Sequence, residues 1–372
     1  MAEILFNIYL LLLENIFPAL LSSILLIMII IFFAFISNYK IKGKYILSLL
    51  AILFLLSSIF NFDIREIIMS HKDSNKNIVK GQLNYALKQP YKAPEIKGIY
   101  KWFNSEPLKI AELQNKVVLI DFWTYSCINC VRTIPHIKSW HDKYADKGLV
   151  IIGVHSPEFP FEGKPKNVQK AIDKFDIKYP VAMDNHFVTW ENYSNRYWPA
   201  HYLINKKGNV VYTHFGEGSY KVTENNIRYL LGLDSNNNKK ESKSFVSPEQ
   251  THETYLGYLR AAREVKGDEK LKIHHWKLSG NWRRDKQYIE SQSDNSLLTL
   301  NYKARNVYLV MESANNEVKQ VAIYNNNKFI KTLDINKSDI YELVDNKTLK
   351  KGELQIKTLN KGVRLFAFTF GS

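Results

Sequence analysis

Cys127 and Cys130 are the only cysteines in the 372-residue sequence, and only Ile128 and Asn129 separate them. Two thiols at this spacing in the first turn of a helix can close a disulfide without moving the backbone. The run before them, Val117 to Trp123, is apolar except for Asp121 and reads as a buried strand. From Cys127 onward the sequence reads as a helix. A helix N-terminus presents free N–H groups and a partial positive charge, which favour a thiolate. The thiolate is the reactive form, so Cys127 is expected to be the nucleophile that attacks a disulfide. Cys130 would then resolve the mixed disulfide.

Three other chemistries use the same residues. A zinc site needs two more ligands, but no further cysteine exists, and His136 and His141 are not spaced as a ligand pair. No metal is therefore expected. A peroxidase of the peroxiredoxin type is suggested by Thr124-Tyr125-Ser126-Cys127, but the proline expected four residues before the threonine is Ile120. A purely structural bridge would close too short a loop to restrict the unfolded chain much. The pair, set where a strand feeds a helix, is the thioredoxin-like redox signal.

The elements that must hold this pair are legible around it. Leu149 to Val154 reads as a second buried strand. A helix near Lys166 to Phe175, a strand at Val181 to Met183 and a helix near Phe187 to Asn195 follow. His201 to Asn205 and Asn209 to Phe215 read as a hairpin. Thr223 to Leu231 reads as a closing helix with Thr223 as its N-cap. Upstream, Ile99 to Trp102 and Pro107 to Ile110 suggest another hairpin. This alternation predicts an α/β domain with a mixed sheet over residues 93–233. His155 and Glu158 fall just after a strand end, as a proton shuttle or, more commonly, as loop organisers. Trp190, Tyr193 and Tyr197 are expected to pack, or else to line a groove.

The front of the chain is of a different kind. Met1 to Ser37 contains no Lys or Arg, and Ile16 to Ile36 is uncharged and long enough to span a bilayer. Lys40, Lys42 and Lys44 follow, then a second apolar run from Tyr45 to Phe62. These features predict a transmembrane helical hairpin over residues 1–62 with its basic loop in the cytoplasm. Neither a basic n-region nor a cleavage site is present, so the hairpin is expected to stay as an anchor. Residues 63–92 read as a stalk, and everything beyond is placed on the extracytoplasmic, periplasmic side of the cell membrane. The net charge of +15 comes from scattered lysines with no nucleic-acid motif. It suits an anionic membrane or cell-wall surface and gives no reason to expect a nucleic acid.

Residues 234–270 read as a polar linker followed by a segment, Thr251 to Val265, that packs across the two domains. From 271 to 372 the pattern becomes short alternating runs. The candidate strands are Leu297–Tyr302, Asn306–Met311, Val318–Tyr324, Phe329–Ile335, Ile340–Val344, Glu353–Leu359 and Val363–Phe370. Their spacing predicts an all-β sandwich of the jelly-roll kind. Trp276, Trp282 and Tyr288 could form an aromatic platform for a glycan, or fill the core, which is the commoner fate of such residues.

The chain resembles the extracytoplasmic half of the DipZ-type cytochrome c biogenesis and thiol–disulfide proteins. The resemblance rests on D-F-W-T-Y-S-C-I-N-C at 121–130, G-V-H-S-P-E-F at 153–159, Y-W-P-A at 197–200, H-F-G-E-G at 214–218 and E-T-Y-L-G-Y at 253–258. It implies a TlpA-like thioredoxin domain followed by a carbohydrate-binding-module-like sandwich. It implies a buried carboxylate, Asp121, that relays a proton to and from Cys130, and a kink in the active-site helix at Pro135. It implies a cis-proline at Pro199 facing the disulfide, with Trp198, Pro199, Trp123 and Tyr125 along the substrate groove. The redox-active Cys127–Cys130 disulfide would serve in place of any cofactor, with extracytoplasmic protein disulfides as substrates. The family's multi-helix CcdA-like domain has no counterpart among the two expected spans, so a separate CcdA-like membrane electron donor is expected.

Overall fold

The computed structural model describes residues 82–234, 249–267, 269–315 and 317–371. The membrane hairpin expected over residues 1–62 lies outside the described residues. Among those described, no helix is long and apolar enough to cross a membrane. All of them fall within one contact unit, Val79–Ser372.

The first sheet is built on a strand with no polar face. Every residue of β3, Val117–Trp123, is buried, which requires cover on both sides and a central place in the sheet. The other strands are β1 (Tyr91–Lys92), β2 (Lys101–Phe103), β4 (Leu149–His155), β5 (Val181–Met183), β6 (Ala200–Ile204) and β7 (Asn209–Phe215). Their order is β1-β7-β6-β3-β4-β5-β2, with β3, β4 and β5 parallel and the remaining pairs antiparallel. The helices are α1 (Ile128–Tyr144), α2 (Pro165–Phe175), α3 (Val188–Asn192) and α4 (Tyr220–Leu231). This is the thioredoxin-like α/β arrangement, with α1 leaving the end of the central strand.

Three local expectations change. Lys101–Phe103 pairs with Met183–Val181 and not with the stretch after it. Pro107 has no N–H to give a ladder, and Ile110–Glu112 is a 3-10 turn whose first N–H groups donate to the Glu95 carboxylate. Helix α4 begins at Tyr220, so Thr223 lies inside it, buried, with its hydroxyl 3.1 Å from that of Tyr212. Residues read as stalk also join the sheet: Tyr91–Lys92 pairs with β7, and Asn84 exchanges hydrogen bonds with Asn226.

The second half is all-β and antiparallel. Its strands are β8 (Thr254–Tyr255), β9 (Trp276–Ser279), β10 (Trp282–Arg284), β11 (Ile289–Ser291), β12 (Leu297–Ser313), β13 (Lys319–Asn325), β14 (Lys328–Ile335), β15 (Asp339–Thr358) and β16 (Val363–Gly371). They form one continuous nine-stranded ladder with β12 and β15 at its heart. Two pairs of expected strands are in fact single long ones. Leu297–Tyr302 and Asn306–Met311 are both β12, and Ile340–Val344 and Glu353–Leu359 are both β15. A register shift between Ala304 and Asn306 lets β12 bend there while staying paired. Its first part pairs with β9 and its second with β16, so one strand serves two parts of the sheet.

The aromatic platform does not assemble. Trp276 is fully buried in the β-domain core, its indole N–H donating to the Ala262 carbonyl. Trp282 is tied back to the Ser279 carbonyl, and Tyr288 packs with its ring tilted against Phe366, under Arg364. Burial of a large indole outweighs its display, because a buried aromatic contributes more than about 2 kcal/mol.

Val310, Phe366 and Ala367 of the β-domain belong to the same apolar core as Cys130, Ile134 and Ile137 of α1. Phe366, 1% exposed, lies 5.1 Å from Phe159 and 5.0 Å from Phe161, ring centre to ring centre. The segment 156–163, which carries these two rings, is thus held from the β-domain side. Tyr255 and Arg260 add to the hold, each donating to the Glu158 carboxylate at 2.8 Å.

Candidate active site

Cys127 is the N-cap of α1, in extended conformation, and Cys130 sits one turn in. Both thiols are free; Cys127 is half-buried and Cys130 buried. The helix starts here because β3 ends at Trp123 and the next residues turn under a hydrogen-bonded loop. Pro135 falls inside α1, whose buried face is Ile128, Cys130, Thr133, Ile134, Ile137, Trp140 and Tyr144. That three- and four-residue spacing is an amphipathic stripe that seats α1 on the sheet.

The Cys127 sulfur faces the carbonyl of Trp198 at 3.9 Å, and the Trp198–Pro199 bond is cis. Trp198 lies over Trp190 at 4.3 Å, and its indole N–H donates to the Ser156 carbonyl. Burial pushes the Cys130 thiol well above its ordinary range, helped by the hydrogen bond and charge of Cys127 and by the charge of Asp121. Cys130 therefore holds its proton until a base takes it. Asp121 is 2% exposed on the neighbouring strand. Gly153 lies beside it on β4, where a Cβ would come within 3.0 Å of the Trp123 indole nitrogen and 3.1 Å of the Tyr179 ring. A glycine there leaves room for both rings against β4, beside the Asp121 position.

Trp123 and Tyr125, expected along the groove, are instead in the interior. They are 1% and 4% exposed and enclose His155, Trp123 edge-on at 5.2 Å and Tyr125 stacked at 5.7 Å. Of the four residues expected along the groove, Trp198 is the one whose carbonyl faces the Cys127 sulfur, with Pro199 next to it in sequence. Burial pushes His155 down to about 3, so it rests neutral near neutral pH, packed between the Trp123 and Tyr125 rings as part of the core. Glu158 is a loop organiser, bound to Tyr255 and Arg260.

Glu162 was not singled out by the sequence. It is fully buried and holds the loop ahead of Cys127: one oxygen accepts from the Ser126 N–H and hydroxyl at 3.2 and 2.6 Å. The other accepts from the Glu158 and Phe159 N–H groups at 2.7 and 2.9 Å. Burial pushes its carboxyl up from 4.5 to about 7, against these donors. The native state therefore keeps a proton that the unfolded chain releases first. This contribution to stability is fully present below about pH 4.5 and is lost as pH rises through about 7. In Glu162→Gln the amide can turn its NH2 toward the Ser126 hydroxyl, which can accept, but the Ser126 N–H then loses its partner. The expected cost is about 1–3 kcal/mol. Denaturant unfolding across this pH range should show that loss together with a flatter pH slope; an unchanged slope would assign the slope to other groups.

Arg132, on the second turn of α1, donates to both oxygens of Glu217 at 2.7 and 2.8 Å and to the Asn129 side chain at 2.6 Å. This clamp joins Asn129, one of the two residues between the cysteines, to the loop before α4.

Residues 91–213 match the AhpC/TSA family, and residues 251–371 match the family described as thioredoxin like C-terminal domain. The chain is similar to Protein DipZ of Mycobacterium bovis, 38% identical over 303 residues, which is 75% of this chain and 43% of that protein. It thus spans less than half the length of the DipZ relatives it matches. It is also similar to the thiol-disulfide oxidoreductase YkuV of Bacillus subtilis, 29% identical over 145 residues, 39% of this chain and 96% of that one. The crystal structure of a thioredoxin-like superfamily protein, 29% identical, covers 39% of this chain and 99% of its own, with a TM-score of 0.36.

Proposed function

We propose that this chain is a thiol–disulfide oxidoreductase that reduces protein disulfides through Cys127 and Cys130. The observation that carries the reading is the pairing of a half-buried sulfur at the helix start with a buried thiol one turn inside, next to a buried carboxylate. Cys127 attacks one sulfur of a substrate disulfide, and the other leaves as a thiol. Asp121 takes the proton of Cys130, whose thiolate displaces the second substrate sulfur from Cys127. Two electrons pass to the substrate, and the enzyme is left with a Cys127–Cys130 disulfide. The pair itself is the electron store, so the reaction needs no further cofactor. Trp198 and Pro199 form the wall against which the substrate strand lies.

The surrounding assignments belong to the same proposal. The apolar runs in residues 1–62 support an anchored protein whose described part faces the extracytoplasmic side. Re-reduction then requires a dithiol donor in the membrane, for which a CcdA-like protein is the expected class. A glycan on the β-domain has less support, because Trp276 is committed to the core.

The direction of electron flow is tested by the reduction potential of the purified full chain. It would be equilibrated in thiol–disulfide buffers and read by alkylation and mass. A value near about −270 mV is expected and marks a reductase, whereas a value near about −120 mV would make the chain an oxidant.

A further inference from the structure

Asp121, His201 and His214 stand in one row across the first sheet. Asp121 on β3 is the register partner of His201 on β6, and His201 is the register partner of His214 on β7. Cross-strand partners share a face, here the face that packs on α1 and α4. Asp121 and His201 are 2% and 0% exposed, and Asp121 Oδ1 lies 3.3 Å from His201 Nε2. The alignment is too poor for a hydrogen bond. Asp121 Oδ1, both His201 nitrogens and His214 Nε2 are all buried with no hydrogen-bond partner in the protein. The two imidazole rings are 6.0 Å apart, centre to centre. His214 as a whole is only half-buried, so this end of the row is the one nearest solvent.

Each unpaired buried polar atom costs about 1–3 kcal/mol. Folded proteins rarely keep one without a use, and here several fall in a single line. The line begins beside the sulfur that must lose a proton.

We infer that His201 and His214 are positioning residues that pass the Cys130 proton from Asp121 to solvent. The inference rests on the oxidoreductase reading above. When the Cys130 thiolate forms its bond to Cys127 and the bond to the substrate sulfur breaks, Asp121 is left protonated in a closed site. His201 Nε2 accepts that proton, a proton leaves from Nδ1 toward His214, and His214 gives one up to water. Burial, then the neighbouring His201, holds His214 down at about 4, so it passes a proton on rather than keeping it. The other groups that face the row are few. Cys130 and the Trp140 ring face it from α1, and Tyr179, which burial keeps protonated, faces it from the segment before β5. Helix α4 turns uncharged Val222, Thr223 and Ile227 to this side, and the Glu217 backbone hydrogen-bonds His214.

The test is a single turnover of the pre-reduced full chain with the aryl disulfide dithiobis(nitrobenzoate). Attack by Cys127 releases one coloured thiolate, and attack by Cys130 on the mixed disulfide releases the second. His201→Gln keeps the volume but cannot carry charge. It is expected to leave the first phase unchanged and to slow the second about tenfold near neutral pH. That is less than the roughly 10²–10⁴ of a group taking the proton directly. The deficit should shrink as pH rises, and it should vanish in an Asp121→Asn background, because the two residues act in series. His214→Gln, at a less buried position, should act in the same direction and serves if His201→Gln does not fold. A second phase with wild-type rate and pH profile, or a full-sized effect in the Asp121→Asn background, overturns the inference. Absence of the first phase in the wild type would instead overturn the oxidoreductase reading.

Discussion

Cys130→Ser is expected to stop the chain at its mixed disulfide. Cys127 remains at the start of α1, with its sulfur against the Trp198 carbonyl, and can still attack. The resolving sulfur one turn inside is gone, and a serine hydroxyl there cannot take its place, since exchange requires a thiolate. Turnover of a protein disulfide should fall to the uncatalysed background, and a covalent adduct that reductant dissolves should accumulate on gels. Cys127→Ser should also lose turnover but should trap nothing, because the thiol that remains is buried and holds its proton tightly. The asymmetry between the two variants is the informative result. Equal trapping would mean that either sulfur can initiate. Trapping by neither would remove the case for disulfide exchange and turn attention to the β-domain.

Phe366→Ala carries the largest expected loss of stability. Phe366 is 1% exposed and touches Phe159, Phe161 and Tyr288 at 5.0 to 5.2 Å between ring centres. Removing a buried ring costs about 3–5 kcal/mol, because the cavity it leaves collapses only in part. The effect should reach the active site. Phe159 and Phe161 lie just ahead of Glu162 in sequence, and Glu162 holds Ser126, the residue before Cys127. Denaturant unfolding should show the loss. Alkylation of Cys127 in the native state should change in rate as well, and Ala in place of Phe370, in the β-domain core, should leave that rate alone. If both variants leave alkylation unchanged, the β-domain steadies the fold without steadying the site.

The cysteine pair, the buried strand before it, the helix after it and the strand at Val181–Met183 were all legible in the sequence. Their information is local: an apolar run, a change of hydrophobic period and a spacing of two residues do not depend on what lies opposite. The all-β character of residues 271–371 was legible for the same reason. Its strand count was not, because a bend within β12 and another stretch of continuous pairing in β15 look like turns when read one strand at a time. The fates of Trp123, Tyr125 and Trp276 were also hidden, since an aromatic side chain serves a groove or a core equally well until its neighbours are known.

What the sequence determined by itself is the chemistry: two thiols at a fixed separation, in a context where only a helix N-terminus follows. What only the tertiary structure decided is the company that chemistry keeps. Glu162 reaches Ser126 across 36 residues, and Phe366 reaches Phe161 from another sheet. His201 meets Asp121 because antiparallel register, set by the packing of whole strands, places them side by side. A register shift of one residue would turn His201 to the opposite face, and no local pattern around it records which face is correct.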